Sequence, residues 1–359
     1  MTSASFPSPL KSLLIVRLGA MGDVIHTLYA VSALRAAFPE LHIGWAIEKS
    51  WAELLCAQGA DGCGARSQLR PVVDCVHLLN TKGWRRSLTA PRTWKEMASE
   101  CRAIRGRQYQ VAADFQGAMK SAVVARSARA QLTIGMEDPR ERPSRLFYQR
   151  RVLTQGTHVV EQYRLLAQAI GGAGLPFLRP EFPHDDQAEA AIAKKLGEGD
   201  GNLVILNPGA GWGAKQWPAE RYGLVAKALA ADGMKPIINF SSAERDLALQ
   251  VESASEGRAV PLALSMGELV ALTRRARLFI GGDTGPMHLA AALGAPVVAL
   301  FGPTDPARNG PYGTQSVVLR NPASRTSLSH TSGPDPGLDE ITAPEVIRAA
   351  RQLLEGCRA

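Results

Sequence analysis

The residues best suited to chemistry lie in four short segments, each of which follows an apolar stretch of the chain. The clearest is Asp283–Pro286, which follows the apolar run 278–281 and precedes a run of small residues typical of a helix. Proline is favoured in the first helical turn, and the free N–H groups at a helix N-terminus favour a phosphate. The candidate ligands are the Thr284 hydroxyl, the N–H groups near Gly285 and the His288 ring. The alternative is a capped helix with a core histidine.

A glycine-rich loop, 207–218, follows the apolar stretch 203–206 and carries three glycines before Lys215. Closely spaced glycines let backbone N–H groups approach an anion, and the lysine adds a compact positive charge. The spacing does not match the Walker loop, in which a glycine precedes the lysine and a serine or threonine follows it. The loop therefore predicts a diphosphate site of another kind. The alternative is an ordinary connection with an exposed lysine.

Two segments of the same kind lie in the first half. Asp23 follows the stretch 13–17 and the turn Gly19–Gly22, without the G-x-G-x-x-G pattern of dinucleotide binding, which disfavours a nicotinamide cofactor. An acid at this place is either a general base or a favourable charge at a helix start. The segment Asp114–Lys120 repeats the order of strand end, glycine and cation. By itself it could equally be the start of a surface helix.

The positive charge is concentrated in one block. The chain has 41 lysines and arginines against 33 aspartates and glutamates, a net charge of +8. Residues 66–151 hold 18 lysines and arginines against 7 aspartates and glutamates, whereas the rest of the chain holds 23 lysines and arginines against 26 aspartates and glutamates. Such a block indicates an anionic partner or a solvated basic face. Nucleic acid is disfavoured, because the aromatic residues between the basic ones are few and irregularly spaced.

Strands alternate with helices along the chain, which predicts parallel, doubly wound sheets. The predicted strands are 13–17, 42–47, 72–78, 109–114, 203–207, 235–240, 278–281 and 296–301. The predicted helices are 23–37, 158–170, 219–232, 243–253, 266–275, 286–293 and 344–355, and a helical pattern also follows each of the strands 72–78 and 109–114. Residues 324–340 are polar and rich in glycine and proline, which predicts a loop. The two α/β halves predict a ligand site in a cleft between them, at the carboxyl ends of strands.

The composition bounds the classes of protein. With 359 residues, 45% hydrophobic and 21% charged, the chain suits two domains with a core each. The longest nearly apolar run, 289–302, is too short to span a membrane, and no apolar block near the N-terminus is long enough for a signal peptide. We therefore expect a cytoplasmic protein. The five cysteines are odd in number and lack a C-x-x-C, which indicates neither a disulfide framework nor a zinc site.

Together the segments resemble the ADP-heptose heptosyltransferases of glycosyltransferase family 9, which have the GT-B fold. The family pattern Met-Gly-Asp-[Val/Ile] stands here as Met21–Val24, Asp-Thr-Gly-x-x-His as Asp283–His288, and Phe/Tyr-Gly-Pro-Thr-Asp-Pro as Phe301–Pro306. The resemblance covers nearly the whole chain. Within the family, Asp114–Ala122 and Gly22–Leu28 resemble the heptosyltransferase I subgroup, which adds the first heptose to the Kdo region of lipid A.

The resemblance implies a role for each segment. Asp23 would be the catalytic base and Lys215 the catalytic contact to the diphosphate. The implied donor-binding residues are Gly209, Ala210, Glu244 at the ribose, Met266 at the adenine, Asp283 at a sugar hydroxyl, and Thr284, Gly285 and His288 at the diphosphate. The implied acceptor-binding residues are Lys82, Arg85, Arg86, Asp114, Gln116, Gly117, Lys120 and Arg142.

The expected fold is α/β of the GT-B class, with two Rossmann-like doubly wound domains facing a central cleft. The expected boundaries are an N-terminal acceptor domain at 1–175, a linker and entry helix at 176–200, a nucleotide-sugar domain at 201–340 and a last helix at 341–359 that packs back towards the N-terminal domain.

The expected function is an inverting transfer of heptose from ADP-heptose to the Kdo region of lipid A, peripherally at the cytoplasmic face of the inner membrane. No metal or other cofactor is expected, because Lys215 and the helix start at Thr284 supply positive potential and the chain has no Asp-x-Asp pair. The alternatives are another family 9 transferase, such as one like heptosyltransferase II, a GT-B nucleotide-sugar epimerase, or a non-catalytic binding protein.

Overall fold

The computed structural model describes residues 9–87, 89–197, 201–326 and 335–356. The chain divides into two compact units, Met1–Asp185 and Asp186–Ala359, called unit 1 and unit 2 below. The boundary therefore lies within the predicted linker 176–200, whose residues 198–200 are outside the described ranges, as are residues 327–334 of the predicted loop.

Unit 1 is built on six parallel strands in the order β3-β2-β1-β4-β5-β6. The strands are β1 (Ser12–Val16), β2 (His42–Glu48), β3 (Cys75–Leu79), β4 (Val111–Asp114), β5 (Leu132–Met136) and β6 (Arg150–Val152). The helices are α1 (Met21–Ala37), α2 (Thr81–Arg86), α3 (Pro91–Gly106), α4 (Met119–Ser127) and α5 (Val159–Gly171), with 3-10 turns at Lys49–Leu54 and Arg142–Phe147.

Unit 2 repeats this plan with six parallel strands in the order β12-β11-β10-β7-β8-β9. The strands are β7 (Leu203–Asn207), β8 (Lys235–Phe240), β9 (Val260–Ala263), β10 (Ala276–Gly282), β11 (Val297–Phe301) and β12 (Ser316–Arg320). The helices are α6 (Asp186–Leu196), α7 (Ala219–Ala231), α8 (Arg245–Ala254), α9 (Met266–Arg275), α10 (Gly285–Leu293), α11 (Pro306–Asn309), α12 (Pro336–Glu340) and α13 (Ala343–Gly356).

The central strands of unit 2 are largely apolar because both faces of the sheet are covered by helices. Val204 and Leu206 of β7 pack with α7, α8 and α13 on one face, and Leu203 and Ile205 pack with α6, α9 and α10 on the other. This alternation follows from the two-residue period of a strand. The helical cover on both faces is the doubly wound arrangement that the sequence predicts.

Each sheet has the same switch point, where the strand order reverses direction. In unit 1 it lies between β1 and β4, with Val16 beside Asp114, and in unit 2 between β7 and β10, with Asn207 beside Gly281. Crevices at such points, beyond the carboxyl ends of the strands, are where sheets of this type bind ligands. All four segments singled out from the sequence begin at these two points.

The eight strands predicted from the sequence are confirmed, but four strands and the short helices α11 and α12 were missed. The missed strands are β5, β6, β9 and β12. Within the predicted loop 324–340 the structure places helix α12, whose N-cap Asp335 accepts a hydrogen bond from the N–H of Leu338. That part of the loop prediction is corrected, because a single capped turn needs no apolar periodicity to form.

Helix α13 belongs to the core of unit 2. Its buried residues Val346, Ala350 and Leu353 join the same cluster as α7 and the central strands, and the indole of Trp217 donates to the carbonyl of Ile341 just before the helix. The apolar face of the helix is buried within unit 2. That the helix also packs back towards the N-terminal domain stays a prediction.

The cysteine expectation is also corrected. Cys63 and Cys75 form a disulfide bond in unit 1. The chain between them turns so that Cys63 lies beside the first residue of β3, a proximity that spacing alone does not show. Cys56 and Cys101 are free, and Cys357 lies outside the described residues.

Candidate active site

A lysine, an aspartate and a histidine form a connected group at the switch point of unit 2. The ammonium of Lys215 contacts Oδ2 of Asp283 at 2.6 Å, and Nε2 of His288 lies 3.2 Å from Oδ1. Lys215 ends the glycine-rich loop after β7, Asp283 follows β10, and His288 lies in the first turns of α10. Two strand ends therefore bring together residues that are more than 60 positions apart.

The carboxylate of Asp283 is held in its ionised form. Burial alone would raise the pKa of Asp283, but the hydrogen bond and charge of His288 and the charge of Lys215 outweigh burial and hold it well below the ordinary value. The side chains of Asp283 and Lys215 are 7% and 15% exposed. A negative diphosphate that approached here would compete with Asp283 for the ammonium, which suits a site that releases as well as binds an anion.

The glycine-rich loop is fixed by polar contacts at its base. The amide of Asn207 donates to the carbonyl of Gly209 at 2.9 Å and accepts from the amide of Asn239 at 2.7 Å. Gly209 packs so closely on the carboxylate of Glu244 that a Cβ there would lie 2.0 Å from Oε1. The structure thus brings together two predicted donor residues, Gly209 and Glu244, on adjacent loops.

The remaining predicted donor residues surround the same switch point or begin a nearby helix. Thr284 is the N-cap of α10 and Gly285 its first residue, so the free N–H groups of that helix start beside Asp283. Ala210 continues the glycine-rich loop and is partly exposed. Met266 is the first residue of α9, which packs against α10. The contacts of these residues to the phosphate, ribose and base of a nucleotide stay predictions of the resemblance.

The switch point of unit 1 carries a different charged pair. Asp23 lies in the first turn of α1, and its Oδ2 accepts from Nη2 of Arg17 at 2.6 Å and from the N–H of Ala20 at 3.2 Å. The Asp23 side chain is 36% exposed, whereas that of Arg17 is 5% exposed. Oδ1 accepts no hydrogen bond from the described part of the chain. A partly exposed carboxylate with one uncommitted oxygen is the geometry of a general base.

A basic cavity of about 260 Å³ adjoins the loop that leads into α1. Its lining contains four cationic side chains and two carboxylates, namely Lys82, Arg85, Lys120, Arg140, Glu48 and Glu141. Gly19 and Ala20 line the same cavity, so Asp23 lies one helical turn from its wall. The cavity is therefore suited to an anionic ligand whose reacting group reaches Asp23.

The cations of this cavity are close enough to influence each other. Burial lowers the pKa of Lys120, the charges of Arg85, Lys82 and Arg140 lower it further, and Glu48 opposes them. Glu48 is itself buried and accepts a hydrogen bond from the hydroxyl of Thr81. An anionic ligand would relieve the repulsion among the cations, which favours its binding.

Asp114 does not line the cavity but supports, from behind, the loop that forms its wall. Its carboxylate is fully buried and accepts from the N–H groups of Gln116 and Gly117 and from the hydroxyls of Ser121 and Tyr148, at 2.7–3.1 Å. Burial raises the pKa of Asp114, and these four donors oppose the shift. The predicted acceptor contact by Asp114 is corrected to a structural role, since the fully buried carboxylate offers no surface to a ligand.

Gln116 and Gly117 shape the same wall. Oε1 of Gln116 accepts from the N–H of Leu18 at 2.9 Å, which joins the loops after β4 and β1. Gly117 has a φ of 66° and lies against Pro139 and Arg140, so a Cβ there would clash with backbone. Only Gln116 of the two lines the cavity.

Comparison with known proteins decides the family. The model of glycosyltransferase family 9 (heptosyltransferase) matches residues 97–332. Lipopolysaccharide heptosyltransferase 1 of Pseudomonas aeruginosa is 31% identical over 317 residues, which cover 86% of this chain and 83% of that protein. The chain belongs to glycosyltransferase family 9. Lipopolysaccharide heptosyltransferase 1 of Escherichia coli K12 is 26% identical, over 86% of this chain and 93% of its own length.

The fold of this family 9 glycosyltransferase matches solved structures over nearly its whole length. The E. coli heptosyltransferase WaaC with ADP has a TM-score of 0.76 at 24% identity and covers 95% of this chain and 99% of its own. The two parallel six-stranded sheets are therefore those of the GT-B class, as the sequence predicts.

The structure sorts the predicted acceptor residues of the glycosyltransferase into two groups. Lys82, Arg85, Gln116 and Lys120 line the cavity, whereas Arg86 and Arg142 are not part of its lining. Arg86 lies one position past Arg85 at the end of α2, and Arg142 begins a 3-10 turn. Adjacent residues in a basic run point in different directions, so the sequence alone does not show which of them face the cavity.

Several residues of the two sites, among them four that bear on the proposed chemistry, were not predicted from the sequence. These four are Arg17, Glu48, Trp51 and Arg140. Trp51 lines the cavity with its indole against Gly19 and with the ammonium of Lys82 5.9 Å from the ring centre. The signal for Arg17 was present, because a charged residue that ends a buried apolar strand requires a partner at the strand end.

In the described ranges, no cluster of three or more histidine, cysteine, aspartate or glutamate side chains is arranged to hold a metal ion. Nor does any helix described there have both the length and the apolar character that crossing a bilayer requires.

Proposed function

We propose that this glycosyltransferase moves a heptose from ADP-L-glycero-β-D-manno-heptose to the Kdo region of lipid A, as the first heptose of the lipopolysaccharide inner core. The observation that carries the proposal is the division of chemistry between two equivalent switch points, with a base beside a basic cavity in unit 1 and a lysine beside a helix N-terminus in unit 2. Relatives named lipopolysaccharide heptosyltransferase 1 support the choice of sugar and acceptor.

In the proposed reaction the acceptor hydroxyl attacks the anomeric carbon of the heptose. Its proton passes to Oδ1 of Asp23 as the new C–O bond forms, and the bond from the anomeric carbon to the diphosphate breaks, with its electron pair leaving on ADP. Direct attack on the β-linked donor inverts the configuration and gives an α product. Partial exposure and an uncommitted oxygen fit Asp23 to this role.

Lys215 and the N-terminus of α10 stabilise the charge that develops on the departing diphosphate. The ammonium of Lys215 is held by Asp283, which in turn contacts His288, so the cation is oriented before the donor arrives. Glu244 and Met266 then supply the ribose and adenine contacts. Because protein groups provide the positive potential, we propose that the enzyme needs no divalent metal and no other cofactor.

The cavity of unit 1 is the proposed site of the acidic Kdo and phosphate groups of the acceptor. Lys82, Arg85, Lys120 and Arg140 supply charge-assisted hydrogen bonds, and the buried Asp114 fixes the loop that carries the wall. Since the acceptor is a lipid, we place the enzyme peripherally at the cytoplasmic face of the inner membrane. The basic block 66–151 supports attraction to an anionic surface.

The test is an assay of the purified chain with ADP-heptose and Kdo-bearing lipid A, with products read by mass spectrometry. The proposal expects one heptose added to the acceptor and none without it. Product only with an acceptor that already carries heptose would indicate a heptosyltransferase II-like enzyme. Donor conversion without acceptor would indicate an epimerase, and donor binding without turnover on any acceptor would indicate a binding protein.

A further inference from the structure

Arg17 is a buried cation that the proposed reaction leaves without a role. It directly follows β1, its side chain is 5% exposed, and no substrate group is assigned to it. An arginine in such a place must be compensated, because a buried charge without partners is strongly destabilising.

Three contacts hold the guanidinium from different sides. Nη1 donates to the carbonyl of Phe115 at 2.6 Å, Nη2 contacts Oδ2 of Asp23 at 2.6 Å, and the carbon of the guanidinium lies 5.3 Å from the ring centre of Tyr163. Phe115 follows β4, so Arg17 joins the loop after β4 to the carboxylate on α1. Burial alone would lower the pKa of Arg17, but the nearby Asp23, Tyr163 and Asp114 raise it above its ordinary value.

The partner of Arg17 is the more exposed member of the pair. Oδ2 of Asp23 is occupied by Arg17 and by the N–H of Ala20, and Oδ1 accepts no hydrogen bond from the described residues. The buried arginine therefore holds the carboxylate in the orientation in which Oδ1 faces outward. A planar fork fixes the orientation of a carboxylate better than a flexible ammonium does.

We propose that Arg17 is the positioning residue of the catalytic base: it clamps Oδ2 of Asp23 so that Oδ1 is presented to the acceptor hydroxyl. The inference rests on the proposed role of Asp23. Arg17 touches no substrate and acts only through that carboxylate. Its removal leaves Asp23 held only by the N–H of Ala20, so that the carboxylate adopts more orientations and a smaller fraction of molecules has the reactive geometry.

Arg35 provides a matched control within the same unit. It lies near the end of α1, its side chain is 9% exposed, and it pairs with Asp74 at 2.5 Å while donating to the carbonyls of Val72 and Leu41. Arg35→Met thus removes an equally buried, ion-paired arginine twelve residues along the helix from Asp23. Any loss that comes from stability alone will appear in this variant too.

The experiment is a double-mutant cycle on the full chain. The variants are Arg17→Met, Asp23→Asn and their combination, and Arg17→Lys is the conservative variant. We expect Arg17→Met to lower kcat by about 10- to 100-fold with an unchanged KM for ADP-heptose, and Arg17→Lys to recover part of that loss. In the Asp23→Asn background, Arg17→Met is expected to lower the residual rate by less than about 3-fold, because its route of action is already gone.

Equal fold losses from Arg17→Met in both backgrounds would overturn the proposal, as would a change confined to the KM for ADP-heptose. A kcat loss in Arg35→Met as large as that in Arg17→Met would do the same. If Arg17→Met does not fold, Arg17→Lys and its combination with Asp23→Asn carry the same cycle. Full activity of Asp23→Asn alone would instead show that Asp23 is not the catalytic base. That result distinguishes failure of the proposed function from failure of the inference about Arg17.

Discussion

In both units an aspartate lies at the switch point of the sheet, yet the two carboxylates are held in opposite ways. Asp283 is buried between Lys215 and His288, whereas Asp23 is 36% exposed and backed by a buried arginine. In unit 2 the partner cation is the group that can meet a ligand, and in unit 1 it is the carboxylate. On the proposed function, the same strand order thus serves as an anion site in one unit and carries a base in the other, according to which member of the pair is more buried.

The groups around the two switch points differ as clearly as the two aspartates do. The switch point of unit 2 is flanked by a glycine-rich loop and a helix N-terminus, whose backbone N–H groups are suited to the proposed diphosphate. The switch point of unit 1 is flanked by a cavity lined with four long cationic side chains. Backbone donors suit one constant group, whereas flexible cations suit the varied phosphates and carboxylates of an acceptor.

The largest effect is expected at Asp23. Asp23→Asn removes the proton acceptor and should lower kcat by about 10²- to 10⁴-fold. Steady-state rates with ADP-heptose and Kdo-bearing lipid A measure it, and Asp61→Asn, an exposed aspartate of the same unit, is the control. A variant that retained more than about a tenth of the wild-type rate would remove Asp23 as the base.

Lys215→Met is expected to lower kcat by about 10²-fold and to raise the KM for ADP-heptose, because the ammonium meets charge that grows as the diphosphate leaves. The control is Lys227→Met, which removes an exposed lysine of unit 2 paired with Glu256. A rise in KM with unchanged kcat would reduce Lys215 to an anchor of the ground state.

Asp283→Asn tests the buried partner of that lysine through stability. Breaking the pair should lower the free energy of unfolding by about 3 kcal/mol at pH 7. Because the folded pKa of Asp283 lies below its ordinary value, this contribution is present above about pH 4 and is lost as the pH falls through the folded pKa. Unfolding curves at several pH values should therefore converge for wild type and variant in acid; a difference that grew there would contradict the ion pair.

Arg85→Ala and Arg86→Ala separate the cavity from the basic surface. Arg85 lines the cavity and Arg86 does not, although they are neighbours on α2. We expect Arg85→Ala to raise the acceptor KM about 10-fold, with less effect on an acceptor stripped of phosphate or in added salt. Arg86→Ala should change the KM by less than about 2-fold. Equal effects would mean that a diffuse basic face, and not the cavity, meets the acceptor.

The smallest effect is expected from metal removal. Treatment with EDTA should leave the transfer rate unchanged, because Lys215 and the N-terminus of α10 supply the positive potential at the diphosphate. A loss of turnover that Mg²⁺ or Mn²⁺ restores would show that a cation shares the role given to unit 2.

The sequence predicts best where a strand is mostly apolar and a glycine lies at its end or in the loop just after it, as at β10 and β7. It misses β5 because Thr133 and Gly135 interrupt the apolar run; Gly135 is there because the ring of Tyr148 occupies the place of its Cβ. It misses β6, β9 and β12 because edge strands are less buried and carry a weaker pattern.

Among the site residues, those in continuous motifs were predicted together, and those that tertiary contacts define were not. Asp283, Thr284 and His288 share one segment, and the structure keeps them at one helix start. Asp114 was predicted as a ligand because its buried hydrogen-bond network includes Tyr148, which comes from another part of the fold. Arg140 was missed because only the loop at Gly117 brings it to the cavity.

The most direct test of the division between the units is calorimetric titration of ADP into the wild-type chain, Asp23→Asn and Lys215→Met. The account predicts that Asp23→Asn binds ADP with the wild-type affinity although its transfer rate has collapsed, and that Lys215→Met binds ADP at least about 10-fold more weakly, as expected for loss of a charge-assisted contact. Weakened ADP binding in Asp23→Asn, with wild-type affinity in Lys215→Met, would contradict the assignment of base and donor to their units.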